Sequence, residues 1–230
     1  MENENNPSRQ AELIPLFPLP QTVFYPNTLL PLHIFEPRYR QMVADALENG
    51  RKIGMILLKP GWEDSYYANP AIATVGCVGE IENHIRLEDG KYNMALKGLC
   101  RFKIVGETEG KPYRLAKIEL LPEINDQSLT SSPSSRKEEL TRHCHEYIKM
   151  LPSGESFKKE MRLSTCKTLS HLTDQIAYQL NLTVEQKQKL LEEQDVLSRT
   201  ETIHSMLKMK MDIIHLSKMR TNPGADLNLN

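Results

Sequence analysis

The sequence predicts an α+β protein: a small, strongly curved sheet or barrel of about six short strands with one helix, followed by a helical bundle. Three observations carry this. Six prolines fall among the 27 residues from Leu13 to Tyr39, nearly all the rest being large and apolar. Each proline deletes a backbone donor and fixes φ, which leaves room only for short strands and extended turns. From Ala73 to Leu120 apolar residues recur at the period of two that half-buried strands require. Beyond Arg136 the rhythm changes to the three-and-four spacing of amphipathic helices.

Taken in order, Met1 to Glu12 is polar and reads as a flexible start, and residues 13–122 read as the barrel. Leu13 to Phe17 and Leu29 to Phe35 are its first two strands, joined by a rigid connection through Pro18, Pro20 and Pro26. Pro37 opens a helix where its missing donor costs nothing; Tyr39, Met42, Val43, Ala46 and Leu47 share one face, and Gly50 stops it. Ile53 to Leu58 is a short apolar run that suits a strand buried on both faces. Lys59 to Pro70 is a loop holding Trp62, Tyr66 and Tyr67, long enough to suggest a binding role. Val75, Cys77, Val78, Ile81 and Ile85 then point inward, with Gly76 and Gly79 placed for bends or bulges.

Ile85 and Leu87 before Asp89-Gly90, and Tyr92, Met94 and Leu96 after it, predict a β-hairpin closed by a tight turn. Phe102 and Ile104, then Ala116, Ile118 and Leu120, continue the alternation on either side of a turn from Glu107 to Pro112. Residues 123–136 carry the five serines of the composition break and read as a linker or surface loop. A bundle follows over 137–219: one helix from Arg136 to Leu151, and a second over about Leu163 to Leu180 with Leu169, Leu172, Ile176 and Leu180 on one face. Thr183 and Gln186 form a capping box for a third, which runs to about Glu193. The last, from Asp195 to about Met219, places Ile203, Met206, Leu207, Ile213 and Ile214 on one stripe, and residues 220–230 read as a loose tail.

Composition limits function. Basic and acidic residues number 29 and 30, and within 13–121 they number 13 and 12, so no field draws the chain to nucleic acid or an anionic membrane. The polar start is no signal peptide and no apolar run reaches spanning length, which predicts a cytoplasmic protein with no membrane partner. Cys77, Cys100, Cys144 and Cys166 contain no CxxC pair and read as free thiols.

Sites for chemistry are scarce. The segment GETEGKP, 106–112, has the wrong spacing for a phosphate loop and ends in proline. His143, Cys144, His145, Cys166 and His171 lack metal-ligand spacing, since adjacent helical residues point apart. His33 reads as a strand hydrogen-bonder, and Glu36, Arg38 and Arg40 as surface charges at a helix start. No catalytic group, cofactor or metal is expected. Trp62, Tyr66 and Tyr67 offer large area at low entropy cost and read as candidate polypeptide-binding residues or as aromatics folded back on the sheet; Met206 and Met209 read by spacing as core or solvent face, with an adaptable binding surface as the alternative.

The run IPLFPLPQTVFYPNTLLPLHIFEPRYRQMV resembles the opening of the Lon protease N-terminal, substrate-binding domain, in particular its stand-alone forms without ATPase or protease. The stretches VGCVGEIENHIRLEDGKYNMALKGLCRFKI and HLTDQIAYQLNLTVEQKQKLLEEQDVLSRTETIHSML extend the likeness. The resemblance implies a PUA-like barrel followed by helices, and a non-enzymatic module that recognises unfolded or extended polypeptides. Two other readings stay open: an adaptor or assembly factor docking on a folded partner such as full-length Lon, and RNA binding through the barrel, which the near-neutral charge opposes.

Overall fold

The computed structural model describes residues 12–66, 69–128, 135–151 and 163–221. By internal contact the chain divides into two units, residues 1–124 with 180–194 and residues 125–179 with 195–230. Among the described residues no helix is long and apolar enough to cross a membrane.

The first unit is built on six strands: β1 (Glu12–Leu19), β2 (Leu29–Ile34), β3 (Lys52–Leu57), β4 (Val75–Arg86), β5 (Tyr92–Thr108) and β6 (Arg114–Leu121), with helix α1 (Pro37–Glu48) between β2 and β3. Their order is β2-β5-β4-β3-β1-β6, and β6 pairs again with β5, so five strands close on themselves while β2 lies outside the ring. Only β1 and β3 are parallel. The prolines fit this arrangement. β1 meets β6 along Glu12 to Leu16 and β3 along Leu16 to Leu19. Pro15 and Pro18 therefore lie on stretches bonded on one side, as does Pro31 on the edge strand β2.

The closed part encloses Ile14, Leu16, Ile56, Ala73, Val78, Phe102, Ala116 and Ile118. Gly76 is small because of Phe102: a Cβ there would lie 2.4 Å from the Met55 carbonyl oxygen and 2.6 Å from the Phe102 ring. Of the two glycines placed for bends or bulges, Gly79 borders one of the two register shifts between β4 and β5, and the other falls between Ile81 and Asn83. β5 is one strand of 17 residues. Gly98 marks a close approach, since a Cβ there would meet the Tyr25 carbonyl oxygen at 2.0 Å. The hairpin from β4 to β5 turns at Leu87–Lys91, with Gly90 at φ 78° as the Asp-Gly pair requires.

α1 buries Tyr39, Met42, Val43 and Ala46, and Tyr39 packs on Phe17 with ring centroids 4.5 Å apart. Asp45 anchors it, accepting from Lys111 Nζ at 2.8 Å, Tyr113 Oη at 2.5 Å and Gln41 Nε2 at 2.6 Å. The Lys111 bond, then the Tyr113 bond, hold the Asp45 carboxyl at about 2, below its usual 3.8. Because the folded value lies below the unfolded one, the contribution is complete above about pH 4 and vanishes as pH falls toward 2. With Lys111 half exposed, we expect it to reach about 1 kcal/mol. Asp45→Asn should remove that part of the acid limb in urea titrations run between pH 5 and 2.

The third predicted helix is present as α4 (Val184–Glu192) after an observed capping box, but it packs on the sheet rather than joining the bundle. Polar bonds account for its position. Tyr25 Oη donates to the Lys187 carbonyl at 2.6 Å, Gln188 Nε2 to the Val75 carbonyl at 3.0 Å, and Arg101 Nε to the Leu191 carbonyl at 2.9 Å. The last bond satisfies a carbonyl at the helix C-terminus and brings a cation to the negative end of its dipole.

The second unit holds α2 (Ser135–Met150), α3 (Leu169–Gln179) and α5 (Val196–Thr221). α3 begins later than the predicted Leu163 because Asp126 caps it, accepting from Ser170 N at 2.9 Å and Ser170 Oγ at 2.7 Å. Asp126 lies in the stretch expected to be a linker, whose residues 129–134 fall outside the description. Residues 1–11 of the expected flexible start, 1–12, and most of the expected tail also fall outside it, while Glu12 begins β1. α5 buries Ile203 and Leu207, but Ile213, expected on the same stripe, is exposed.

Candidate functional site

In the first unit the end of β3, the loop after it and α4 together form a groove of about 640 Å³. Leu57, Leu58, Pro60, Trp62 and Ala73 supply apolar surface on one side, and Val184 with the aliphatic parts of Gln188 and Lys189 on the other. Lys59 and Lys189 are matched by Glu185 and Glu192, so the rim is polar without a dominant sign. The local sequence explains the shape. Pro60 and Gly61, with Gly61 at φ 84°, turn the chain sharply out of β3, and a short 3-10 turn from Glu63 to Ser65 follows Trp62.

Trp62 is half-buried and meets Tyr66 edge to face at 5.5 Å. Tyr66 faces a different hollow of the same unit, about 790 Å³, which it lines with Pro18, Arg38, Tyr39 and Arg114. Its hydroxyl donates to Glu36 Oε1 at 2.5 Å, and Arg38 stands 4.9 Å over its ring while donating to Glu36 Oε2 at 3.0 Å. Burial, then the Glu36 bond, raises the Tyr66 phenol above its usual value, so it remains a donor. The helix-start charges Glu36 and Arg38 are thus half-buried and hold the aromatic loop in place, in contrast to the expectation of surface charges. Tyr67 lies outside the described residues.

Met206 and Met209 belong to the other unit. They line a shallow hollow of about 470 Å³ along α5 with Ser198, Glu201, Thr202 and Ser205. Met209, Ile213 and Leu216 are each more than half exposed and follow one another at helical spacing.

No arrangement for bond-breaking forms among the described residues singled out by sequence. His33 is exposed and hydrogen-bonds through Nδ1 to Asn93 Oδ1 at 2.7 Å. Cys144 and Cys166 are buried thiols outside any disulfide, pushed up by that burial to about 12 and about 11, which keeps them protonated. His145, Cys166 and His171 do not gather around His143. The side chains that do are Glu139 and His204. Glu139 and His143 stand one helical turn apart, a spacing visible in the sequence; His204, 61 residues beyond His143, carried no signal.

Comparisons with known proteins agree with this architecture. The chain is 28% identical over 224 residues to the Lon protease of Dictyoglomus thermophilum, covering 96% of this chain and 27% of that protein. It is 26% identical to Lon protease 2 of Myxococcus xanthus, covering 90% of this chain and 24% of that one, and 27% identical to the Lon protease of Escherichia coli K12, covering 94% and 27%. The chain thus spans about a quarter of the length of the curated relatives it matches. Among solved structures, the N-terminal domain of the Mycobacterium avium complex Lon protease superposes with a TM-score of 0.64 at 17% identity, covering 86% of this chain and 98% of that one. The Lon N-terminal domain protein from Xanthomonas campestris gives 0.61 at 22%, covering 84% and 98%. With a match over residues 13–209, this chain belongs to the ATP-dependent protease La (LON) substrate-binding domain family.

Proposed function

We propose that this protein is a polypeptide-binding module without catalysis of its own, and that it takes unfolded or extended segments in the groove beside Trp62. The observation that carries the reading is the groove itself: an apolar floor with an indole on its wall and a charge-balanced polar rim. Such a surface accepts varied apolar side chains, while the rim serves the backbone of an extended segment. Membership of a substrate-binding family supports the same reading. The absence of a basic surplus leaves RNA without comparable support.

The test uses a labelled, reduced and alkylated protein that cannot refold, titrated with the full chain and followed by fluorescence anisotropy. Trp62→Ala should weaken binding by about 2 kcal/mol, roughly thirtyfold, as loss of a central aromatic anchor does. The same change should lower stability only by about 0.5–1.5 kcal/mol, the worth of its edge contact with Tyr66. Equal affinities for the two proteins would refute the site.

A second reading, docking on a folded partner such as full-length Lon, is favoured by the exposed stripe Met209, Ile213 and Leu216 on α5. It predicts a stoichiometric complex with purified Lon that Ile213→Glu abolishes and Trp62→Ala leaves intact.

A further inference from the structure

Glu139 and His143 project from one face of α2 toward His204 of α5. One atom from each of the three lies within 4.8 Å of the others, and His204 Nε2 is 3.9 Å from Glu139 Oε1. The two imidazoles meet edge to face at 4.3 Å between centroids. We propose that Glu139, His143 and His204 form a binding site for a divalent transition metal of the zinc class, joining α2 to α5.

The donor set fits that ion. Two neutral imidazoles with one carboxylate are borderline ligands suited to zinc and its neighbours, and too poor in oxygen for calcium or magnesium. The spacing also fits. A tetrahedral ion with bonds of ~2.1 Å holds its ligand atoms ~3.4 Å apart, so rotation of exposed Glu139 and half-buried His204 can close the remaining distance.

A second observation points the same way. Nδ1 of His143 is buried with no hydrogen-bond partner, although buried imidazole nitrogens are ordinarily satisfied. With His143 ligating through that nitrogen, a coordinated ion would supply the partner. Three protein ligands leave a fourth position for water. The ion links helices that are far apart in sequence and holds α5 at its middle, short of the exposed stripe from Met209 onward.

The experiment is calorimetric titration of the full, metal-stripped chain with zinc chloride alone, with cobalt(II) absorption as a second measurement. The site predicts one equivalent bound, a tetrahedral cobalt spectrum with no thiolate charge-transfer band, and a melting temperature that rises with zinc. His143→Gln and His204→Gln should each weaken binding by about tenfold or more, while His145→Gln, on the same helix but outside the group, should leave it unchanged. Glu139→Gln alters an exposed side chain, so its effect on affinity is read in a protein that folds. Absence of saturable zinc binding would overturn the proposal. So would binding that survives His143→Gln and His204→Gln, or a thiolate band placing the ion on cysteine.

Discussion

Arg199→Ala is expected to lower the stability of the second unit by about 3–5 kcal/mol. Arg199 on α5 and Asp174 on α3 have fully buried side chains, with Nε 3.6 Å from Asp174 Oδ1 and 3.2 Å from Thr173 Oγ1, to which it donates. Truncating the arginine leaves a carboxylate shut away from water without its counter-charge and opens a cavity where the guanidinium lay. Both effects act in the same direction. The check is urea unfolding followed by the helical circular dichroism signal, to which α2, α3 and α5 contribute most of the helix. Replacing both partners together, Arg199→Met with Asp174→Leu, should recover much of the loss, because no buried charge is then left alone. A double variant as unstable as the single one would show that the ion pair is not the cause.

Arg101→Ala should cost the first unit about 3 kcal/mol. This arginine is 1% exposed in the middle of β5, donates through Nε to the Leu191 carbonyl at 2.9 Å and through Nη1 to Glu123. Without it a carbonyl at the end of α4 has no donor, and the strand loses its tie to the chain leaving β6. The carboxylate of Glu123 is a quarter exposed, so water recovers part of that bond, which sets the loss below that for Arg199. Trp62 is the only tryptophan, which makes its fluorescence a reporter of this unit alone. The fluorescence midpoint should move to lower urea in Arg101→Ala and stay in place in Arg199→Ala. Arg101→Lys should recover only a fraction, since an ammonium cannot reproduce the forked geometry.

These two arginines mark where sequence reasoning ended. Arg101 lies in the run Leu99-Cys100-Arg101-Phe102, where a charge among strand residues reads as outward-facing. Its partner at Leu191 is 90 residues away, and no local pattern encodes that distance. Signals confined to a few residues survived intact: the Asp-Gly hairpin, the capping box of Thr183 and Gln186, the proline opening α1, and the alternation that produced six strands. α4 shows both sides of the matter. Its start was legible in four residues, whereas its place on the sheet depends on Tyr25, Val75 and Arg101. For the candidate site, Trp62 could be named from its aromatic loop, but the opposite wall of its groove comes from α4 and so was hidden for the same reason. Ile213 continues the period of Ile203 and Leu207 after the packing surface has ended, so its exposure leaves no sign in the sequence.

An extended polypeptide segment is expected to occupy the groove beside Trp62. Because the chain holds one tryptophan, its emission during titration with a tryptophan-free, reduced and alkylated protein tests that occupancy directly. Occupation of the groove removes water from the indole and should produce a saturable shift to shorter wavelength, at the same concentrations at which anisotropy reports binding. Binding by anisotropy with unchanged Trp62 emission would contradict it.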